Sequence, residues 1–313
     1  MPATVVHCPR HAAVLPAAGL PALRAAHRVL AGPDVPDELA RAAGAQPWDG
    51  TDPATLPDTD VLLTTAPSPD GTGTGRAIPA PAGVGLLDAV AVMDRLRSPG
   101  GCPWDAEQTH TSLLRYLVEE CYELYQAIED GDRTEIREEL GDVLLQVLFH
   151  ARVAAESPEE PFDVDDVATG LVDKLVGRHP HVFAESGERV ETADAQDLRW
   201  DELKRAEKKR ESSVDGVATG QPAVALAAKL ASRTARAGLP TELLPTGDGP
   251  GAELFRLAAH AQIDGGDPEA ALRTVARRFD ADVRAAERAA TADGRDPHGL
   301  DADDWRKYWP AGR

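Results

Sequence analysis

The sequence predicts a mainly α chain, a helical bundle behind a small α/β region. Three observations carry this. From residue 84 onward, apolar residues recur three and four apart in one segment after another. Between two of these segments stands Gly131-Asp132, a stop-and-start signal for an antiparallel helix pair. In the first 85 residues, Thr4-Val5-Val6 and Val61-Leu62-Leu63-Thr64-Thr65 read instead as short buried strands.

With 313 residues the chain has room for two or three domains. Its net charge of −20 argues against a nucleic-acid or anionic-membrane partner, because no large basic stripe is available. A polyanionic substrate would have to be drawn by local Lys and Arg together with a metal. Cys8, Cys102 and Cys121 are too few and too scattered for a disulfide framework or a zinc site, which suits a reducing compartment. The start of the chain shows no signal-peptide pattern, and no run approaches the roughly 20 apolar residues of a membrane span. The expectation is a soluble, cytoplasmic protein.

Residues 1–85 are taken as a small α/β region of open role. It has a helix from Leu20 to Ala31 and a Pro/Gly/Thr-rich linker from Ser68 to Gly85. Gly71, Gly73 and Gly75 lack the strand–turn–helix context of a phosphate loop. A first long helix is expected from Val84 to Arg97, ended by Ser98-Pro99-Gly100-Gly101. The irregular Cys102-Pro103-Trp104-Asp105 follows. A second helix runs from about Thr109 to Asp130 with Gly131 as its stop. A third begins after the cap Asp132, where Glu135 completes a capping-box pattern, and ends before Pro158. A fourth covers about Asp163 to Arg178, and a charged fifth about Thr192 to Glu211. After a hinge at 212–222, three more helical patterns occupy 223–236, 251–263 and 267–292.

The chemistry concentrates on the second and third helices. Glu119, Glu120 and Glu123 interrupt one apolar run, and Glu138, Glu139 and Asp142 interrupt the next. Residues three or four apart share a helix face, so Glu120/Glu123 and Glu139/Asp142 form two acidic pairs that an antiparallel hairpin brings face to face. An acidic helix face is ordinarily a solvated surface. Here the acids flank strongly apolar runs and recur at matched spacing on both partners of one hairpin. Four converging carboxylates repel unless a cation lies between them, and an all-oxygen set favours Mg²⁺, with Mn²⁺ as the other choice. Mg²⁺ held by carboxylates points to phosphate chemistry. A di-iron bundle is discounted, since no Glu stands three residues before His150. Lys174 and Arg178, four apart on the next helix, read as clamps for phosphates. Arg115 and Arg137 are possible helpers, and Asp173 is a weaker acidic candidate. Trp200 stays open between stacking on a base and the edge of a core, as does Trp104. His179 and His181, beside Pro180, are read as loop anchors.

These residues resemble the MazG family of nucleoside triphosphate pyrophosphohydrolases, within the all-α NTP pyrophosphatase superfamily. The matching text is Cys102-Pro103-Trp104-Asp105, Gln108-Thr109-His110, Glu119-Glu120-Cys121-Tyr122-Glu123, Glu139-Leu140-Gly141-Asp142, Asp173-Lys174-Leu175 and Arg178-His179-Pro180-His181-Val182-Phe183. It covers about residues 86–210. The resemblance implies that Glu120, Glu123, Glu139 and Asp142 hold Mg²⁺, that Lys174 and Arg178 contact phosphates, and that Trp200 lies near the nucleobase. It implies a homodimer that cleaves NTPs and dNTPs to the monophosphate and pyrophosphate with broad base tolerance, serving nucleotide-pool sanitation.

The expected domains are therefore 1–85, a catalytic helical domain at 86–211 and a helical tail at 212–313. The tail reads as a worn second copy, in which Leu254-Phe255-Arg256-Leu257-Ala258-Ala259-His260-Ala261 echoes Leu144 to Ala151. It lacks the Glu-Glu-x-x-Glu half of the signature and is assigned no catalysis. Glu119 and Glu138 are the candidates for a base that activates the attacking water. Two other readings stand beside this one: a narrower pyrophosphohydrolase for a modified or deoxy nucleotide, and a nucleotide-binding regulator without turnover.

Overall fold

The structure, a computed structural model, describes residues 3–65, 76–183, 192 and 211–310. The chain divides into two compact units, 1–188 and 189–313.

The first unit opens with a parallel sheet of order β3-β2-β4-β1-β5. Its strands are β1 (Thr4–His7), β2 (Arg28–Ala31), β3 (Gln46–Pro47), β4 (Asp60–Thr64) and β5 (Ala77–Ile78). Helices α1 (Leu20–Ala25) and α2 (Asp37–Ala42) connect them. The runs of Val and Leu are explained by burial on both faces. Val6, Val61 and Leu63 join Leu39 and Ile78 in one core, while Leu30 and Leu62 join Ala3 and Leu56 in another.

Two expectations for this region are corrected. The helix expected from Leu20 to Ala31 ends at Ala25, and Arg28–Ala31 is a strand paired with β4. Burial of Leu30 and Ala31 between neighbouring strands overrides their helical propensity. Likewise, Ala77–Ile78 lies inside the segment read as linker but pairs with Val5–Val6 of β1. A two-residue strand carries too little alternation to be seen in sequence.

Beyond the sheet come α3 (Val84–Arg97), α4 (Pro103–Glu107), α5 (His110–Asp130), α6 (Arg133–Ala154), α7 (Val164–Arg178) and the short α8 (Pro180–Phe183). Their ends follow the local chemistry. Thr109 and Ser112 form a capping box at the start of α5. Gly131, at φ 70°, takes the left-handed position that ends it, where a β-carbon would be strained. Asp132 accepts from the N–H groups of Thr134 and Glu135 to start α6.

Helices α5 and α6 form the expected hairpin, and α3 and α7 pack against α6. Met93, Leu113, Leu148 and Phe149 are the buried centre of this bundle. Buried Arg97 clamps the Cys-Pro-Trp-Asp segment to it. The guanidinium binds Glu156 through both Nε and Nη2, at 3.1 and 2.7 Å, and donates to the carbonyls of Asp105 and Gln108.

The second unit holds α9 (Ala223–Arg236), α10 (Pro250–Ile263), α11 (Pro268–Ala292) and α12 (Ala302–Tyr308). The first three match the sequence patterns; the last, capped by Asp301, was not anticipated. Small residues let α9 and α10 approach closely, with Ala231 and Ala259 meeting Leu244 in the core. The charged helix expected at 192–211 lies almost wholly outside the described residues, as does Trp200. Among the described residues, no helix is long and apolar enough to cross a membrane.

Leu113 is 1% exposed at the centre of the bundle. Leu113→Ala is expected to cost about 2–5 kcal/mol by loss of burial and the cavity left behind. A denaturant melt with an unchanged midpoint would contradict this packing.

Candidate active site

The hairpin brings the acidic faces of α5 and α6 together. One carboxylate oxygen from each of Glu120, Glu123 and Glu139 lies within 4.8 Å of the other two. Each comes from the helix face that the three- and four-residue spacing selects. Asp142 stands outside that triad but close enough to act electrostatically on both Glu120 and Glu139.

Electrostatics shows what this arrangement costs the bare protein. Desolvation first, then the charges of Asp142, Glu123 and Glu139, hold the Glu120 carboxyl above its ordinary value. Glu139 is raised too, by desolvation and then by Glu123, Asp142, Glu138 and Glu135. In addition, Glu139 Oε2 is buried and has no hydrogen-bond partner. A buried carboxylate oxygen facing other carboxylates is stable only if protonated or bound to a cation. The donors are all hard oxygens, without sulfur or imidazole, so they fit a divalent ion of the Mg²⁺ or Mn²⁺ type.

An open cleft of about 310 Å³ borders the cluster, lined by Glu119, Tyr122, Glu123, Gln126, Glu135 and Glu139. Glu119 is thus beside the acids and reachable from solvent. Glu138 is exposed and does not line the cleft; it touches the site only through its charge on Glu139. Glu135 was expected to complete a capping box, yet its side chain lines the cleft instead. Its four-residue spacing from Glu139 carried that signal. Tyr122 and Gln126 were missed as well, though they follow the same face of α5 as Glu119 and Glu123.

Lys174 and Arg178 share α7, which packs on α6, but neither lines the cleft. Asp173 is exposed on the same helix. Arg115 turns to its neighbour, with its guanidinium 4.4 Å from the Tyr116 ring centre. Arg137 is exposed. His179 Nδ1 donates to the Leu175 carbonyl at 2.6 Å, a contact that anchors the end of α7. His150 pairs with His110 through their Nδ1 atoms at 2.7 Å, far from any Glu-x-x-His geometry. Trp104, 49% exposed, sets its ring edgewise to Tyr116 and Phe149 at 6.0 and 6.3 Å.

Residues 108–183 match the model of the MazG nucleotide pyrophosphohydrolase domain. Over 252 residues the chain is 48% identical to a nucleoside triphosphate pyrophosphohydrolase of Mycolicibacterium smegmatis, covering 75% of this chain and 74% of that one. It is 42% identical over 272 residues to the Mycobacterium tuberculosis protein of the same name, covering 81% and 79%. An uncharacterized 26.1 kDa protein of Streptomyces cacaoi is 48% identical over 256 residues, covering 82% of this chain and 96% of that one. The chain belongs to the MazG family.

The raised carboxyls allow a test that does not depend on turnover. A group whose folded pKa is raised stabilises the fold below its unfolded value and loses that contribution as pH rises through the folded value. For Glu120 and Glu139 the loss sets in above pH 4.5, the ordinary glutamate value. In EDTA at pH 7, Glu139→Gln is therefore expected to melt at or above the wild-type temperature, and its gain on adding Mg²⁺ should be smaller. A wild-type chain that melts higher in EDTA and ignores Mg²⁺ would contradict this electrostatic account.

Proposed function

We propose that this MazG-family enzyme, a nucleoside triphosphate pyrophosphohydrolase, works as a Mg²⁺-dependent catalyst with one active site, on the α5–α6 hairpin. NTPs and dNTPs are split to the nucleoside monophosphate and pyrophosphate, with broad base tolerance suited to cleansing the nucleotide pool. The observation that carries this reading is the convergence of Glu120, Glu123 and Glu139 beside an open cleft, with a buried Glu139 oxygen that lacks a partner.

In this reading Glu120, Glu123, Glu139 and Asp142 hold the ion, within the domain assigned to residues 86–211. When bound, Mg²⁺ supplies charge neutralisation for the triphosphate and acidity for water. The chain's own groups do the rest. Lys174 and Arg178, on the helix packed next to the hairpin, take charge on the phosphate oxygens. Glu119, at the cleft wall, is better placed than Glu138 to accept a proton from the attacking water. Trp200 is assigned to the nucleobase on the family resemblance.

A homodimer fits the apolar surface of this unit. Leu114, Val118, Ile128 and Leu140 on the hairpin, and Leu171, Val172, Leu175 and Val176 on α7, are all exposed by 41% or more. The tail, 212–313, is read as a worn second copy that contributes to assembly or stability and not to chemistry.

Incubation with each common NTP and dNTP, with Mg²⁺ or EDTA, tests the activity. Monophosphate plus pyrophosphate, lost in EDTA, is expected. Diphosphate plus phosphate would contradict the proposed scissile bond. Glu139→Gln and Asp142→Asn should each lower turnover by at least about 100-fold at unchanged helicity, as expected where charge on phosphate oxygens is the main barrier. Wild-type rates in either variant would remove these residues from the site.

A further inference from the structure

The loop after β1 carries a feature that the hydrolytic reading leaves unused. Three successive backbone N–H groups converge on one carboxylate. Arg10 donates to Asp88 Oδ2 at 3.0 Å, while His11 and Ala12 donate to Oδ1 at 2.7 and 2.9 Å. Consecutive N–H groups aimed at one point form an anion-binding nest. Here the anion is a side chain some 76 residues or more downstream, in the first turns of α3.

The topology gives this place a second meaning. From β1 the chain crosses β4 to reach β2, and from β4 it crosses β1 to reach β5. The chain thus leaves the adjacent strands β1 and β4 in opposite directions along the sheet. In open parallel sheets, ligands bind at such a switch point, outside the carboxyl ends of the strands. The nest stands at that end of β1. Cys8, between strand and nest, donates its N–H to the Thr64 carbonyl of β4 at 2.9 Å, so the carboxyl ends of both strands meet beside it. The exposed guanidinium of Arg10 adds positive charge at its mouth.

We propose that the β1 loop is a second anion site, for a phosphate-bearing ligand, and that Asp88 occupies it as an internal stand-in. A phosphate group offers the same oxygens with more charge and takes the same three N–H groups. Its arrival frees Asp88, which opens the second turn of α3. That helix is in turn packed on the catalytic hairpin: Met93 joins Leu113, Leu148 and Phe149 in one core, and Asp94 pairs with Arg152 of α6 at 2.8 Å. The site therefore couples the α/β region to the acidic hairpin through a single rigid helix.

The test uses the full chain in EDTA, where the carboxylate cluster cannot recruit a metal–phosphate complex and no turnover occurs. Inorganic pyrophosphate and inorganic phosphate are titrated separately while the amide resonances of Arg10, His11 and Ala12 are followed. Wild-type protein should shift those three resonances. Asp88→Ala, which removes a tethered competitor, should bind either anion roughly ten-fold more tightly. Asp88→Asn, which keeps the shape and loses the charge, should fall between them. Shifts confined to other residues, no binding by any of the chains, or equal affinity in wild type and Asp88→Ala would overturn the proposal and leave Asp88 as a structural clasp only.

Discussion

Repulsion among carboxylates in the α5–α6 seam is the constraint on which this architecture turns. Helix packing holds Glu120, Glu123 and Glu139 within 4.8 Å of one another, and burial denies one Glu139 oxygen any partner. Left alone, such a seam would open or take up protons. It is kept closed by apolar contacts elsewhere in the hairpin, chiefly Leu113 against Leu148 and Phe149. Packing energy is thus stored as an electrostatic demand for a cation.

The surroundings of the seam are organised to keep it rigid. Arg97 fastens the Cys-Pro-Trp-Asp segment to the end of α6 through Glu156, and Arg152 ties α6 to Asp94 of α3. Gly131 and Asp132 set the turn that fixes the register of the two helices. A slip of one residue in that register would rotate the acids away from each other, because each pair depends on a shared helix face. The cleft wall adds Glu119 and Glu135 to the negative field, which deepens the preference for a bound cation.

Most of the helical part was legible in sequence, and for an identifiable reason. Helices α3, α5, α6 and α7 carry strong three- and four-residue periodicity and end at caps or glycine, so their bounds fall within a residue or two of expectation. The acidic pairs were legible for the same reason. Less was visible where structure depends on distant partners. Arg28–Ala31 became a strand only because β3 and β4 lie on either side of it, and Ala77–Ile78 because β1 is adjacent. Glu135 was assigned to a cap by local pattern, whereas the fold turns it to the cleft. The pairing of Asp88 with residues 10–12, and that of His110 with His150, cross long stretches of chain and leave no local trace.

The central claim is that the hairpin acids exist to hold a divalent ion. It is tested most directly by crystallising the protein with Mn²⁺ and locating the ion by its anomalous scattering. The account predicts a peak between α5 and α6, within about 2.0–2.3 Å of carboxylate oxygens from Glu120, Glu123, Glu139 and Asp142, as hard divalent ions require. A seam without Mn²⁺, or Mn²⁺ bound only elsewhere on this acidic surface, would contradict it.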